Sequence, residues 1–183
     1  MRVITGSARG VPLSTLPGEE LVRPTAQRVK EALFSAIQFE IEGRRALDAF
    51  AGSGQLGIEA LSRGAASCVF IENNRGAVKI LKKNIEKAGL AEGAKVLQAD
   101  AMTWLRREGE AFDLVFLDPP YGNGLLQEAL ALVSVRVAEG GAVLCEAPLR
   151  EAMPGRQGNL LLERSYQYGK TKIFLYRAST RGE

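Results

Sequence analysis

Short apolar runs alternate with stretches of helical periodicity from residue 45 to residue 146. Apolar runs bounded by turn residues indicate buried strands, whereas apolar positions spaced three or four residues apart indicate amphipathic helices. The pattern predicts strands over residues 46–50, 66–71, 95–98, 112–117 and 141–146. It predicts helices through Ile58 and Leu61, over 75–88, around Trp104 and over 124–138. Repeated strand–helix units predict an α/β fold with a doubly wound, mostly parallel sheet of the Rossmann-like kind.

The first part of the chain has a different pattern. Residues 1–13 predict a short hairpin, and Thr25 is placed to cap a helix with one apolar face. Arg28 and Lys30 lie off that face in this prediction. We therefore expect residues 1–44 to form a small hairpin-plus-helix appendage to the sheet.

The last part of the chain predicts strands without helices. The loop-like segment 148–159 leads to apolar strands over 160–162 and 173–176, joined around Tyr168–Lys170. This spacing predicts an antiparallel C-terminal hairpin that closes the sheet. The main domain would then span residues 45–178, followed by a flexible tail over 179–183.

Composition is that of a globular protein with one sizeable core, because 46% of the 183 residues are hydrophobic and 25% are charged. No apolar stretch reaches transmembrane length, and the N-terminus lacks the apolar core of a signal peptide. Cys68 and Cys145 lie inside apolar runs, which predicts reduced packing residues. We expect a cytoplasmic, monomeric protein with no membrane contact.

The chain contains no histidine. This excludes Ser-His-Asp and Cys-His catalysis and every histidine metal site, so we predict no metal. The net charge is only +3, but residues 21–30 hold three basic and no acidic side chains, and residues 150–183 hold seven basic and three acidic ones. Both terminal parts of the chain therefore carry an excess of basic residues, whereas acidic and basic residues are balanced between them. Such basic segments could bind the phosphates of a nucleic acid.

A glycine-rich turn, Gly52–Gly57, fits G-x-G-x-x-G directly between a predicted strand and a predicted helix. Glu72 ends the next strand, 20 residues after Gly52, where a carboxylate can accept both hydroxyls of an adenosine ribose. At this point a nicotinamide dinucleotide and S-adenosylmethionine are both compatible with the sequence. Asp100 ends the third strand, where it could accept an adenine amino group while Ala101 and Met102 cover the ring.

The sequence Asp118-Pro119-Pro120-Tyr121 follows the apolar run 112–117. Proline cannot continue a strand ladder, so a carboxylate, carbonyl groups and an aromatic ring are held on a stiff loop at a strand's carboxyl end. A dehydrogenase would need a proton donor or acceptor for its substrate, usually histidine, lysine or tyrosine; the chain has no histidine, and Tyr121 is the only other candidate in this loop. Methyl transfer from S-adenosylmethionine is therefore the favoured hypothesis. An enzyme that uses a nicotinamide cofactor is much less favoured.

These motifs resemble those of methyltransferases that modify exocyclic amines. More narrowly, the chain resembles the bacterial family that methylates a guanine N2 in small-subunit (16S) ribosomal RNA. The similar stretches are Arg23–Phe34, Phe50–Gly54, Gly57–Ala65, Phe112–Tyr121 and Tyr168–Lys172. One departure is the turn Thr5–Gly10, because the family usually has Gly-Gly-x-Trp-Arg-Gly there and this chain has Ala8 in place of the tryptophan.

The resemblance implies S-adenosylmethionine as cofactor and 16S ribosomal RNA, or a small-subunit assembly intermediate, as partner. It places cofactor contacts on Thr25, Arg28, Asp48, Ala51, Gly52, Ser53, Gly54, Gly57, Glu72, Asn73, Asp100, Ala101 and Met102. The RNA is expected on Arg9, Arg23, Lys170 and Lys172.

The catalytic residues are expected to be Asp118, Pro119, Pro120 and Tyr121. In this hypothesis Asp118 and the Pro119 carbonyl each accept one hydrogen of the amine, and Tyr121 stacks on the base. The loop would mostly orient the amine and perform little acid–base chemistry. Two alternatives stay open: an amino-methyltransferase of adenine N6 or of a protein side-chain amide, and a non-enzymatic module that binds S-adenosylmethionine.

Overall fold

The computed structural model describes residues 1–16, 24–122 and 124–179, with the backbone alone for residues 24–26. The strands are β1 (Arg45–Asp48), β2 (Ser67–Glu72), β3 (Ala94–Gln98), β4 (Phe112–Leu117), β5 (Val137–Pro148), β6 (Arg156–Gln157), β7 (Leu160–Tyr168) and β8 (Thr171–Ala178). The helices are α1 (Pro24–Ala36), α2 (Gln55–Ser62), α3 (Arg75–Ala88), α4 (Ala101–Leu105) and α5 (Leu125–Val133). Over these ranges, none of the helices is long and apolar enough to cross a membrane.

The strands form one sheet in the order β3-β2-β1-β4-β5-β8-β7-β6. The strands from β3 to β5 pair in parallel, and β8, β7 and β6 continue the sheet in antiparallel pairing. The predicted doubly wound sheet with its antiparallel closing hairpin is therefore confirmed. The strand order reverses at β1, which has β2 on one side and β4 on the other. At such a reversal the carboxyl ends of the strands leave a crevice for ligands.

Alternate residues of the central strands pack on opposite faces of the sheet. On one face, Leu114 and Phe116 of β4 join an apolar cluster with α1, α2 and α3. On the other face, Val115 and Leu117 pack in a second cluster with α4 and α5. This arrangement explains why the run 112–117 is apolar almost throughout, since both of its faces are covered by helices.

The N-terminal segment packs against the carboxyl end of α2. The predicted hairpin is reduced to one isolated antiparallel bridge between Arg2 and Pro12. A Cβ on Gly6 would lie 1.7 Å from the Ser62 carbonyl oxygen, and its φ of +90° also favours glycine. Ala8, which is 4% exposed, belongs to the same apolar cluster as α1 to α3. Position 8 therefore faces the core, and the boundary at residue 44 stays a prediction.

The prediction that Lys30 lies off the apolar face of α1 is wrong. Lys30 is 3% exposed, and its ammonium lies 3.0 Å from Oε2 of Glu59, which is fully buried. Glu59 also accepts hydrogen bonds from Arg63 and from the backbone amides of Ile4 and Thr5. A buried ammonium requires a partner of this kind, because desolvating an unpaired charge is very costly. The pair joins the N-terminal segment, α1 and α2.

The helix predicted to residue 138 ends at Val133. The Ser134 hydroxyl donates to the Ala131 carbonyl at 2.7 Å, and a 3-10 turn follows over Ser134–Arg136. A serine that binds its own preceding turn weakens helix continuation. Val137 consequently begins β5 and does not extend the apolar stripe of α5.

Other boundaries differ by a few residues. The first strand ends at Asp48, where the chain turns and the Ala49 amide bonds to the Phe116 carbonyl. The segment predicted as loop contains β6, and the closing strands are longer than predicted. Helix α1 already includes Pro24, so Thr25 lies in its first turn and does not precede it. Of the predicted tail, residues 180–183 lie outside the described residues.

Candidate active site

A pocket of about 710 Å³ opens at the carboxyl ends of β1, β2, β4 and β5. Small-molecule sites usually have volumes of about 300–1,000 Å³. Most of the predicted cofactor residues and the whole predicted catalytic loop line it: Asp48, Ala51, Gly52, Ser53, Glu72, Asn73, Asp100, Ala101, Met102, Asp118, Pro119, Pro120 and Tyr121. The fold thus brings together residues that are up to 73 positions apart in the sequence.

The remaining predicted cofactor residues lie outside the pocket wall. Gly54 and Gly57 belong to the glycine turn and to α2, but they are buried behind the lining residues. Arg28 is exposed on α1 and does not contribute to the wall. The side chain of Thr25 lies outside the described part of the chain.

The glycine turn is held by β1 and by the strands beside it. The Ala51 amide donates to the Ile71 carbonyl at 2.9 Å, and the Gly57 amide donates to Oδ2 of Asp48 at 2.9 Å. A Cβ on Gly57 would lie 2.2 Å from Cε1 of Phe70, so glycine allows α2 to approach β2 this closely. Burial raises the pKa of Asp48 to about 7, with a further contribution from the Glu72 carboxylate, although the bond from Gly57 opposes the shift.

Glu72 is fixed in orientation by two backbone amides. Its Oε2 accepts from the Gly52 amide at 2.8 Å, and its Oε1 accepts from the Asn74 amide at 2.7 Å. Asn74 in turn caps α3 by accepting from the Ala77 amide. A carboxylate has about four lone-pair sites, so each oxygen can accept one further hydrogen bond from a ligand.

Asp100 is exposed at the start of α4, and it caps that helix. Its Oδ1 accepts from the Thr103 amide at 2.8 Å. The hydrogen bonds from Thr103 lower the pKa of Asp100, so the carboxyl group is ionised at neutral pH. Ala101 and Met102, which follow in α4, add apolar surface to the pocket wall.

Asp118 lies beside a second carboxyl group that the sequence analysis did not single out, Glu146 of β5. Both residues line the pocket and both are half-buried. Burial raises the pKa of Asp118 well above its ordinary value, and the nearby carboxyl groups of Glu146 and Asp48 add to the shift. Burial also raises the pKa of Glu146. The only signal for Glu146 in the sequence is the one that marked Asp118: an acidic residue at the end of an apolar run.

Tyr121 lies at the mouth of the pocket and is 58% exposed. Its hydroxyl donates to Oε1 of Glu146 at 3.4 Å, and it also interacts with the hydroxyl of Thr171 at the start of β8. Burial of the phenol and the neighbouring carboxylates Glu146 and Asp118 raise the pKa of Tyr121 to about 12. The ring is therefore a neutral, accessible surface whose hydroxyl end is anchored to β5 and β8.

The basic residues predicted to contact RNA are not gathered at one place. Lys170 is exposed at the tip between β7 and β8, next to Thr171. Lys172 is half-buried, and its ammonium lies 4.8 Å from the centre of the Phe174 ring. Arg9 is exposed on the N-terminal turn, which contacts the carboxyl end of α2, whereas the pocket lies at the amino end of that helix. Arg23 lies outside the described residues.

Comparisons with known proteins agree with this arrangement. Residues 1–177 match the model of a family described as conserved hypothetical protein 95. The ribosomal RNA small subunit methyltransferase D of Escherichia coli K12 is 36% identical over 189 residues, covering 100% of this chain and 92% of that protein. The solved structure of Escherichia coli yhhF has a TM-score of 0.86 at 34% identity and covers 99% of both chains. An RNA methyltransferase from Salinibacter ruber, solved with S-adenosyl-L-homocysteine, shares the fold at 18% identity, with a TM-score of 0.66 over 88% of this chain and 97% of that one.

Proposed function

The chain belongs to the conserved hypothetical protein 95 family, and we infer that it is an S-adenosylmethionine-dependent methyltransferase of small-subunit (16S) ribosomal RNA. The main support for this proposal is that the loop Asp118–Tyr121 lines the same pocket as Glu72 and Asp100. We further propose that the methylated atom is the exocyclic N2 of a guanine. The enzyme would act as a cytoplasmic monomer on the RNA or on a partly assembled subunit.

The pocket wall fits S-adenosylmethionine, which when bound supplies a methyl group on a sulfonium. Glu72 would accept the two ribose hydroxyls through the lone pairs that Gly52 and Asn74 leave free. Asp100 would accept from the adenine amine beside the apolar surface of Ala101 and Met102. A Cβ on Gly52 would meet no atom within 4 Å, which leaves room for a ligand to approach the backbone of the turn.

Asp118 and Pro119 would orient the amine of the substrate. A guanine N2 is a weak nucleophile, because its lone pair is delocalised into the ring. If the Asp118 carboxylate and the Pro119 carbonyl each accept one N–H, the lone pair turns towards the methyl group and the charge that develops on nitrogen is stabilised.

Tyr121 would hold the base in this position by stacking. Its ring is exposed, and its hydroxyl lies 3.4 Å from Oε1 of Glu146, so the ring is available to a base at the mouth of the pocket. Stacking of a base on an aromatic side chain contributes about 1–3 kcal/mol. That free energy offsets part of the cost of turning a nucleotide out of its stack.

Radiolabelled methyl transfer tests the proposal. Purified enzyme, S-adenosylmethionine labelled in the methyl group and small subunits that lack the modification are incubated together, and the RNA is digested to nucleosides. We expect the label in N2-methylguanosine. Label in N6-methyladenosine, or in ribosomal protein, would contradict the assignment of the substrate atom, and no incorporation on any subunit preparation would contradict the enzymatic function.

A further inference from the structure

We propose that Glu146 recognises guanine by accepting a hydrogen bond from its N1–H, so that this residue selects guanine over other bases that carry an exocyclic amine. The inference rests on the proposed function, because it deepens the description of the same pocket. It gives a physical reason for a choice that the Asp118–Tyr121 motif cannot make, since Asp118 and Pro119 contact only the amine and Tyr121 can stack on any base.

The sheet places Glu146 beside Asp118 on the same face. Leu117 of β4 pairs with Cys145 of β5 in parallel register, and Asp118 and Glu146 are the next residue on each chain. Two positions earlier, Phe116 and Leu144 both belong to the apolar cluster under α1 to α3. Because side chains alternate along strands, the side chains of Asp118 and Glu146 lie on that same face of the sheet. Neighbouring strands are about 4.8 Å apart, so the two residues are close together.

Among the residues that the structure describes, the two carboxyl groups have no basic partner. Across residues 1–16, 24–122 and 124–179, no lysine or arginine forms a salt bridge with Asp118 or Glu146. The side-chain hydrogen bond of Glu146 comes from Tyr121, at 3.4 Å, and uses one of the roughly four lone-pair sites of a carboxylate. The pocket therefore presents two adjacent carboxyl groups, which accept hydrogen bonds in their ionised form, at the place where the amine is proposed to lie.

Guanine complements this pair of acceptors. Its Watson–Crick edge carries N1–H next to the two hydrogens of N2, so it offers three N–H donors side by side. Adenine and cytosine carry an amine next to a ring nitrogen that is itself an acceptor, and a side-chain amide carries an amine next to a carbonyl oxygen. Each of these would place a lone pair against Glu146, which leaves a buried acceptor unsatisfied.

The sharpest probe is 2-aminopurine, because it keeps the exocyclic amine in the position of guanine N2 but has no hydrogen on N1. Once the methylated nucleotide has been mapped, small subunits are reconstituted with guanine or 2-aminopurine at that position. We expect the wild-type kcat/KM to be about 10- to 100-fold lower on 2-aminopurine, since a site built for a donor rejects an analogue that lacks it. Equal rates on the two substrates would overturn the proposal.

The variant Glu146→Gln tests the residue itself. A glutamine can offer its NH₂ group to the N1 of 2-aminopurine, so we expect lower activity on guanine and a guanine preference that falls towards unity. The control is Glu92→Gln, because Glu92 is exposed between α3 and β3 and lines neither the main pocket nor the small cavity beside Tyr121. It should keep the wild-type preference.

The outcomes separate the two proposals. An unchanged preference in a folded Glu146→Gln protein would overturn the role of Glu146 while leaving the methyltransferase function in place. If the wild-type enzyme labelled adenine, both the guanine assignment and the role of Glu146 would be wrong. Should Glu146→Gln fail to fold, the wild-type comparison of guanine with 2-aminopurine still tests the requirement for N1–H.

Discussion

Asp118 is expected to act in the chemical step and not in binding the cofactor. Replacing it by alanine removes an acceptor that is aimed at developing charge, and the loss of one such group typically lowers kcat by about 10²–10³-fold. The dissociation constant of S-adenosylmethionine, measured by calorimetry, should change little. The matched control is Asp113→Ala on the same strand, because Asp113 does not line the pocket and pairs with Arg45, whose side chain is 48% exposed. Normal turnover of Asp118→Ala would contradict the mechanism.

Tyr121 is expected to contribute through its ring. Tyr121→Ala should raise KM for the RNA substrate by an amount that corresponds to about 1–3 kcal/mol of stacking. Tyr121→Phe keeps the ring and loses the interactions of the hydroxyl with Glu146 and Thr171, so its KM should stay close to the wild-type value. Steady-state kinetics with both variants checks this, and similar KM values for alanine and phenylalanine would argue against stacking.

Asp48 should make stability depend on pH. Burial raises its pKa to about 7 in the folded protein, whereas an aspartate in an unfolded chain titrates at about 3.9, so between those values the folded state holds a proton that the unfolded state releases. Stability therefore falls as pH rises from about 4 to about 7, by at most about 1.4 kcal/mol per pH unit for this one group.

The variant Asp48→Asn removes that proton while an oxygen remains to accept from the Gly57 amide. Urea unfolding at several pH values should show a flatter pH dependence for the variant than for the wild type. Asp118 and Glu146 titrate in the same direction in both proteins, so the difference between the two curves reports Asp48 together with the part of the Asp118 shift that Asp48 causes. Parallel curves would contradict the assigned pKa.

At the scale of the elements, the Lys30–Glu59 pair should stabilise the junction of α1, α2 and the N-terminal segment. Glu59→Ala leaves a buried ammonium without its partner, and breaking such a pair costs about 3–5 kcal/mol of unfolding free energy. The double variant Lys30→Met/Glu59→Ala should lose less than the two single variants together, because it leaves no unpaired charge at Lys30. Additive losses in chemical denaturation would show that the two residues are not coupled.

The order of elements could be predicted because local pattern and tertiary packing agree. Helix 75–88 was predicted to the residue, since Gly89 ends it in a left-handed conformation and its apolar stripe is regular. The end of α5 could not be predicted in this way, because Val137 fits both the apolar stripe of a helix and a strand. The helix ends where the Ser134 hydroxyl bonds to the preceding turn. Pairing with β8 then extends β5 over twelve residues.

Some residues of the candidate site could also be predicted from the sequence, and others could not. Residues that directly follow an apolar run, such as Glu72, Asp100 and Asp118, could be found because the carboxyl ends of parallel strands meet at one edge. The burial of Lys30 could not be found, because it depends on the partner Glu59, which lies on another helix. Which carboxylates lie side by side depends on strand register, which the sequence does not give.

At the scale of the whole molecule, the closing hairpin brings an exposed lysine, Lys170, near the mouth of the pocket. Tyr121 interacts with Thr171, and Lys170 stands next to it at the tip between β7 and β8. A nucleotide stacked on Tyr121 would therefore bring its backbone near Lys170. The turn that holds Arg9 contacts the carboxyl end of α2, whereas the pocket lies at its amino end. A helix of eight residues at 1.5 Å per residue separates these two ends by about 12 Å. Of the two, Lys170 is better placed to meet RNA close to the target base.

This placement makes the salt dependence of RNA binding a test of individual side chains. Each phosphate contact contributes about −0.7 to −0.9 to the slope of log K against log salt concentration, so Lys170→Ala should reduce the magnitude of the slope by about one contact. Lys95→Ala is the matched control, because Lys95 is exposed on the edge strand β3, near the end of the sheet that faces away from the pocket. Filter binding to small-subunit RNA between low and moderate salt gives both slopes. If the Lys170→Ala slope equalled the wild-type slope, the hairpin tip would not contact phosphate, and the RNA would have to reach Tyr121 along another side of the pocket.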